Sequence, residues 1–289
     1  MIRIVITDLD NTVYNWIDYY APSFNAMIKE LVSLTGIDDR VLRGAFKRVH
    51  QKHKTSEYSF SIEELDVLSE INSRLTVGEI LKKYEPAIRA FRSMRKKTLR
   101  LYNGVQETLQ RLRGEKKKIV AYTDAMMFYA FRRIKQLEIE ELIDGLVAVK
   151  DHGIPSGTKP EDVRFYSDPS EYETAIPFAK ELDPEAVKPN PEGLLLILGH
   201  LSVNPDEAVY VGDSLYKDIK MAQICGVYDI YAEYGRLYDV NNFQQLVEIT
   251  HWTDEDVARE LELRTQPISP TFRISRFEEI LEVIRKIEK

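Results

Sequence analysis

From Ile2 to Thr7 the chain is an almost unbroken run of β-branched and apolar residues, and it stops at Asp8-Leu9-Asp10-Asn11-Thr12. A run without polar alternation suits a strand buried on both faces, at the centre of a parallel sheet. The pattern recurs at Lys118 to Tyr122, before Thr123-Asp124, and at Ala208 to Val211, before Gly212-Asp213. Each run ends in polar residues and is followed by helical spacing. Strands alternating with helices predict an α/β fold, a Rossmann-like parallel sheet with helices on both faces. Ligands of such sheets bind beyond the carboxyl ends of the strands. The polar clusters are therefore expected along one edge.

Between Tyr19 and Arg100 the texture changes. Glycines are few, β-branched runs are scarce, and Leu65, Leu68, Ile71 and Leu75 follow helical spacing. This predicts an all-helical domain over 19–100, inserted into a discontinuous core of 1–18 and 101–289. The basic run Arg89, Arg92, Arg95, Lys96, Lys97 and Arg100 reads as a solvated helix face rather than a polyanion site. His50 and His53 share one helical face and read as surface histidines rather than metal ligands. Residues 150–187 carry five prolines and read as an irregular insertion without long helices. The C-terminal extension from about 235 is long and has no evident role. Near its end it reads as a loop, a short strand at Thr271 to Ile274 and a mixed-charge helix.

Composition narrows the possibilities. The chain has 289 residues and a formal net charge of −7, so nothing here neutralises a run of nucleic-acid phosphates. A phosphorylated small molecule remains compatible, because a local site can act against the global charge. No apolar stretch approaches the roughly 20 residues that span a bilayer, and the N-terminus does not read as a signal peptide. The single cysteine, Cys225, reads as a buried, inert thiol. A reducing cytoplasm is the expected location.

Four clusters carry the chemistry. Asp8 and Asp10 stand at i and i+2, so in extended backbone both carboxylates face one side. Such a pair suits a nucleophile and metal ligand beside a general acid/base; the plain alternative is two surface turn acids. Thr123-Asp124 offers a hydroxyl and backbone N–H groups for an anionic oxygen, or simply a helix N-cap. Lys188, held extended between Val187 and the prolines of Pro189-Asn190-Pro191, either neutralises a carboxylate–phosphate centre or is an ordinary solvated lysine. After the turn at Gly212, Asp213 and Asp218 are oxygen ligands of the type that favours a hard ion such as Mg²⁺.

The order of these clusters, acid pair, hydroxyl, lysine, acid pair, resembles the haloacid dehalogenase-like (HAD) hydrolase superfamily. The resemblance runs through Asp8 to Val13, Thr123, Lys188 and Gly212-Asp213 with Asp218, and it covers roughly 1–14 and 101–235. It implies that Asp8 attacks a phosphoryl group to form an aspartyl-phosphate. Asp10 would protonate the leaving oxygen and then deprotonate the attacking water. Thr123, with Asp124 beside it, would bind the phosphoryl oxygens, and Lys188 would stabilise both Asp8 and the transferred group. Mg²⁺ would be held by Asp8, the Asp10 carbonyl and Asp213, with Asp218 as a ligand or its support. The helical insertion takes the place of a C1-type cap, whose entrance Asn15, Trp16 and Tyr20 either line or merely pack as a hinge. The sixty-five positions between Thr123 and Lys188 are more than such a protein is expected to have.

The expected function is a Mg²⁺-dependent phosphatase of a small phosphorylated metabolite, with neither nucleic acid nor membrane as partner. A sugar phosphomutase of the same superfamily and a catalytically idle scaffold are the alternatives. Asp10 argues against a dehalogenase, which releases no alkoxide that needs a proton. Neither the substrate nor the oligomeric state is legible.

Overall fold

The computed structural model describes residues 1–153, 174–253, 255, 258 and 268–289. Seven strands form one parallel sheet: β1 (Ile4–Thr7), β2 (Lys118–Met126), β3 (Gly145–Val149), β4 (Phe178–Leu182), β5 (Ala208–Gly212), β6 (Tyr228–Ala232) and β7 (Phe272–Ile274). Their order is β4-β3-β2-β1-β5-β6-β7. The chain thus builds outward from β1 on one side, then returns to lay β5 against β1's other edge. Ile4 pairs with Lys118 and with Ala208, and Thr7 with Ala121 and with Val211. The crevice at this reversal of strand order opens beyond Thr7, where Asp8 begins.

The three apolar runs are buried on both faces, as their lack of alternation predicts. Ile4, Ile6, Val120, Tyr122 and Tyr210 pack on one face against α8 (Glu192–Leu201) and α9 (Lys220–Ile224). Val5, Ile119, Ala121, Val209 and Val211 join the other core. That core also takes in α6 (Val105–Gly114), α7 (Met127–Gln136) and α11 (Ile280–Ile287). Among the described residues, no helix is long and apolar enough to cross a membrane.

Between β1 and α6 lie five α-helices: α1 (Trp16–Thr35), α2 (Asp39–His53), α3 (Ser69–Asn72), α4 (Val77–Lys83) and α5 (Glu85–Thr98). Asn15 caps α1 by accepting from the Asp18 N–H, and Gly36 ends it in the left-handed conformation. The Leu65–Leu75 spacing does not make one helix. It breaks into a short 3₁₀ turn and α3, leaving Ile71 exposed. Trp16 stacks on Tyr20 with ring centroids 4.7 Å apart and leans on Trp252, so both rings pack the root of the insertion.

Three further expectations change. The irregular stretch 150–187 contributes β4, an edge strand parallel to β3 whose exposed Lys180 and Glu181 suit an edge; residues 154–173 lie outside the described residues. Cys225 is half-buried rather than enclosed, and burial raises its thiol pKa. His50 is no surface histidine: it is 1% exposed, edge-on to Phe24 and beside Phe46. His53 is half-buried, stacked on Tyr58 and within 2.9 Å of Glu64.

The C-terminal extension forms α10 (Val240–Ile249), which packs against α1 and α2. Its last carbonyls receive the insertion's polar groups. Lys47 Nζ donates to the Val247 carbonyl at 3.1 Å and His50 Nδ1 bonds that of Ile249. Ser56 meets His251 Nδ1 at 2.9 Å. An unassigned tail is in fact a buttress for the helical insertion.

Burial draws the His50 pKa from 6.5 to about 4, against the pull of the Ile249 carbonyl. A depressed histidine supports folding in its neutral form. Its contribution is therefore intact above about pH 6.5 and declines toward pH 4, by about 1.4 kcal/mol per pH unit. Urea unfolding at about pH 7 and about pH 5 is expected to show this loss in the wild type and not in His50→Phe. Parallel pH slopes in the two proteins would remove His50 as the cause.

Candidate active site

The carboxyl ends of β1 and β5 lie side by side, and the Asp8 N–H donates to the Val211 carbonyl at 2.9 Å. Asp8 sits one residue past β1, 5% exposed. Lys188 reaches it from the loop before α8 and is itself 4% exposed. Its Nζ donates to Asp8 Oδ1 at 2.6 Å, to Asp218 Oδ1 at 2.7 Å and to the Tyr210 hydroxyl at 3.3 Å. The solvated-loop alternative for Lys188 is thereby excluded.

Asp218 is placed by a π-helical turn, Leu215–Ile219, directly after β5. Unusual turns of this kind are frequent at functional sites. Asp218 Oδ1 also accepts from the Tyr210 hydroxyl at 2.9 Å, and Oδ2 from the Ser214 N–H at 3.0 Å. Gly212 makes the close approach possible, since a Cβ there would stand 2.3 Å from Asp218 Cγ. Gly235 is equally constrained: its Cβ would meet the Asn11 carbonyl at 2.1 Å and Asp213 Cβ at 2.5 Å. The short turn Glu233–Arg236 thus closes down on the first acidic loop, and the Tyr234 hydroxyl donates to the Thr12 carbonyl at 2.6 Å.

Asp8, Asp213 and Asp218 each offer an oxygen, and these lie within 4.8 Å of one another. One buried ammonium does not balance three converging carboxylates. Burial, together with Asp218 and Asp10, outweighs Lys188 and pushes the Asp8 pKa up to about 8. Lys188 moves oppositely: burial favours the neutral amine, but Asp218 and Asp8 hold it charged, its pKa well above the usual lysine value. An all-oxygen, anion-rich cluster of this kind fits a hard divalent cation. Both Asp218 oxygens accept protein hydrogen bonds, Oδ1 from Lys188 and Tyr210 and Oδ2 from Ser214.

Asp10 lies apart from this triad. Its side chain is 28% exposed, and Oδ1 accepts from Arg133 Nη1 at 3.1 Å. Arg133, 3% exposed, also pairs with Glu57 of the helical insertion. Arg133 was not among the sequence candidates. Its signal was a charge on the apolar face of α7, alongside Met127, Ala130 and Ile134. Tyr210 and Lys217 were missed as well.

Thr123 and Asp124 are not at a helix cap. β2 continues to Met126 through an irregular register, and α7 begins at Met127 without a side-chain cap. Thr123 is buried, and its Oγ1 accepts from the Ala125 N–H at 3.1 Å. Asp124 Oδ1 accepts from the Lys188 N–H at 3.0 Å and Oδ2 from Lys217 Nζ at 3.0 Å. Burial would raise Asp124; Lys217 and Lys188 overcome it and hold the carboxyl below its usual pKa. In this structure Asp124 fastens the Lys188 loop.

Removing one partner of a buried ion pair typically costs about 3–5 kcal/mol. Lys188→Met leaves Asp8 and Asp218 without their counter-charge, and a loss of that order is expected in urea unfolding without divalent cations. An unchanged midpoint would show that another group compensates the two acids.

A family model, haloacid dehalogenase-like hydrolase, matches residues 2–226. The chain is 22% identical over 265 residues to a glyceraldehyde 3-phosphate phosphatase of Methanocaldococcus jannaschii, a match covering 86% of this chain and 97% of that one. Two solved structures share the fold. A 2-haloacid dehalogenase from Pseudomonas syringae pv. Tomato DC3000 superposes with a TM-score of 0.56 at 16% identity, covering 99% of both chains. A predicted phosphoglycolate phosphatase from Haemophilus somnus 129pt gives 0.51 at 17% identity, covering 98% of both.

Proposed function

The chain belongs to the haloacid dehalogenase-like hydrolases, as an enzyme of the phosphatase type, and we propose that it hydrolyses a small phosphorylated metabolite through a phosphoryl group carried on Asp8. The observation that carries this reading is the buried Asp8–Lys188–Asp218 constellation, with Asp213 beside it. Lys188 holds Oδ1 of Asp8, while Oδ2 has no hydrogen-bond partner among the described residues. Oδ2 is the oxygen that attacks phosphorus.

As the phosphorus–oxygen bond to the substrate breaks, Asp10 gives its proton to the leaving oxygen. Asp10 then takes a proton from the water that attacks the aspartyl-phosphate, which frees inorganic phosphate and restores Asp8. Arg133 holds the Asp10 carboxyl in place. Thr123 is the candidate partner of the phosphoryl oxygens, and Asp124 acts through Lys188. Asp8, the Asp10 carbonyl and Asp213, with Asp218 in support, would hold Mg²⁺, which would supply charge neutralisation to the phosphoryl oxygens. Phosphoryl transfer needs mainly positioning and neutralised charge, which this lysine and these acids provide.

In this reading α1 to α5, residues 19–100 in outline, are the cap over the site, and 1–18 with 101–289 the core. The relative's printed activity supports a small phosphorylated substrate. Cytoplasmic residence suits the lone thiol.

Asp8→Asn is expected to lower release of phosphate from an aryl phosphate roughly a thousand-fold or more, with circular dichroism unchanged. Near-normal turnover in that variant would remove Asp8 as nucleophile. Chelation by EDTA is expected to abolish activity and added Mg²⁺ to restore it; indifference to EDTA would remove the metal. Free phosphate, rather than an isomerised sugar phosphate, separates this reading from a phosphomutase.

A further inference from the structure

A cavity of about 100 Å³ lies between the helical insertion and α7. Neither Asp8 nor Lys188 lines it; it meets the site through Arg133, which both lines the cavity and holds Asp10. In the proposed reaction Asp10 serves the leaving oxygen, so the body of the leaving group lies on this side of the site.

The cavity's charge is unusual for a chain with a net charge of −7. Among the described residues its lining holds four guanidinium groups, Arg92, Arg95, Arg132 and Arg133, and one carboxylate, Glu57. Glu57 is taken by Arg133, which also serves Asp10. Arg95 Nε is buried without a hydrogen-bond partner, and no acid among the described residues pairs with this side chain. Its guanidinium rests over the Phe91 ring at 6.0 Å. Burial, with Arg132 and Arg92 nearby, lowers the pKa of Arg95, as expected of a cation facing like charges. Holding such a group half-buried is unfavourable unless an anion joins it. The basic run on α5 is thus only partly a solvated face: Arg89, Arg92, Lys96, Lys97 and Arg100 are exposed, whereas Arg95 turns inward.

We infer that this cavity seats a second anionic group of the substrate, a carboxylate or a second phosphate, on Arg95 with Arg92 and Arg132 beside it. This deepens the phosphatase reading and rests on it. A guanidinium presents paired N–H donors that match the oxygens of either anion. The preferred substrates are therefore phosphomonoesters whose leaving group keeps a negative charge after cleavage. Neutral leaving groups of the same length leave Arg95 unpaired.

Phosphate release from substrates with one three-carbon skeleton tests this: glycerol 3-phosphate and glyceraldehyde 3-phosphate as neutral arms, 3-phosphoglycerate as the carboxylate arm and propane-1,3-diol bisphosphate as the phosphate arm. At least one anionic arm is expected to exceed both neutral arms about ten-fold or more in kcat/KM. Arg95→Gln is expected to bring that ratio close to one, and Arg95→Lys to keep part of it. Equal or better use of the neutral arms by the wild type, or a ratio unchanged in Arg95→Gln, overturns the inference. Aryl phosphate hydrolysis without discrimination overturns it alone; no phosphate from any substrate, aryl phosphate included, overturns the phosphatase reading with it.

Discussion

A lysine ammonium wedged between two buried carboxylates is the interaction on which this site depends. Lys188 touches Asp8 at 2.6 Å and Asp218 at 2.7 Å, from a loop far from both in sequence. Each partner is tolerable in the interior only because the others are there. The surroundings exist largely to keep this contact in register. Asp124 anchors the Lys188 backbone, Tyr210 and Ser214 occupy the remaining capacity of Asp218, and Gly212 leaves room for it. The triad still carries surplus negative charge, so the arrangement favours a divalent cation without any added device.

The sheet topology explains how such distant pieces meet. Because β1 is flanked by β2 on one side and β5 on the other, the loops after all three strands share one crevice. A side chain placed one residue beyond β1, as Asp8 is, lies in reach of both neighbours. The helical insertion leaves the core directly after this loop, so its inner wall faces the same crevice through Arg133. Opposite charges are thereby sorted in space: acids cluster at the strand ends and guanidinium groups on the insertion's side.

Much of this was legible in the chain itself. The three apolar runs announce strands buried on two sides, and the polar residues that end them lie where a parallel sheet places its ligands. Asp8, Lys188, Asp213 and Asp218 converge as their order suggested. What escaped were groups whose significance depends on packing. Arg133 looks like one cation among many until α7 is seen to bury it beside Asp10. Tyr210 sits mid-strand, and its ring reads as core although its hydroxyl serves the site. His50 looked solvent-facing because nothing nearby in sequence reveals that α10 covers it. Thr123 was expected at a strand-to-helix junction, as an anion binder or a cap, but local spacing cannot reveal that β2 runs on to Met126. The irregular stretch hid β4, because its prolines precede a strand too polar to resemble the others.

The bonds from Lys47 and His50 to the last turn of α10, and from Ser56 to His251 just beyond it, tie two segments separated by most of the chain. The insertion is therefore not a portable module. Transplanting residues 19–100 alone into a related scaffold would strand an imidazole and an ammonium that found their partners in the original tail. Any exchange of recognition surfaces among such proteins has to carry both stretches together, and inheritance of new selectivity is correspondingly a two-segment event.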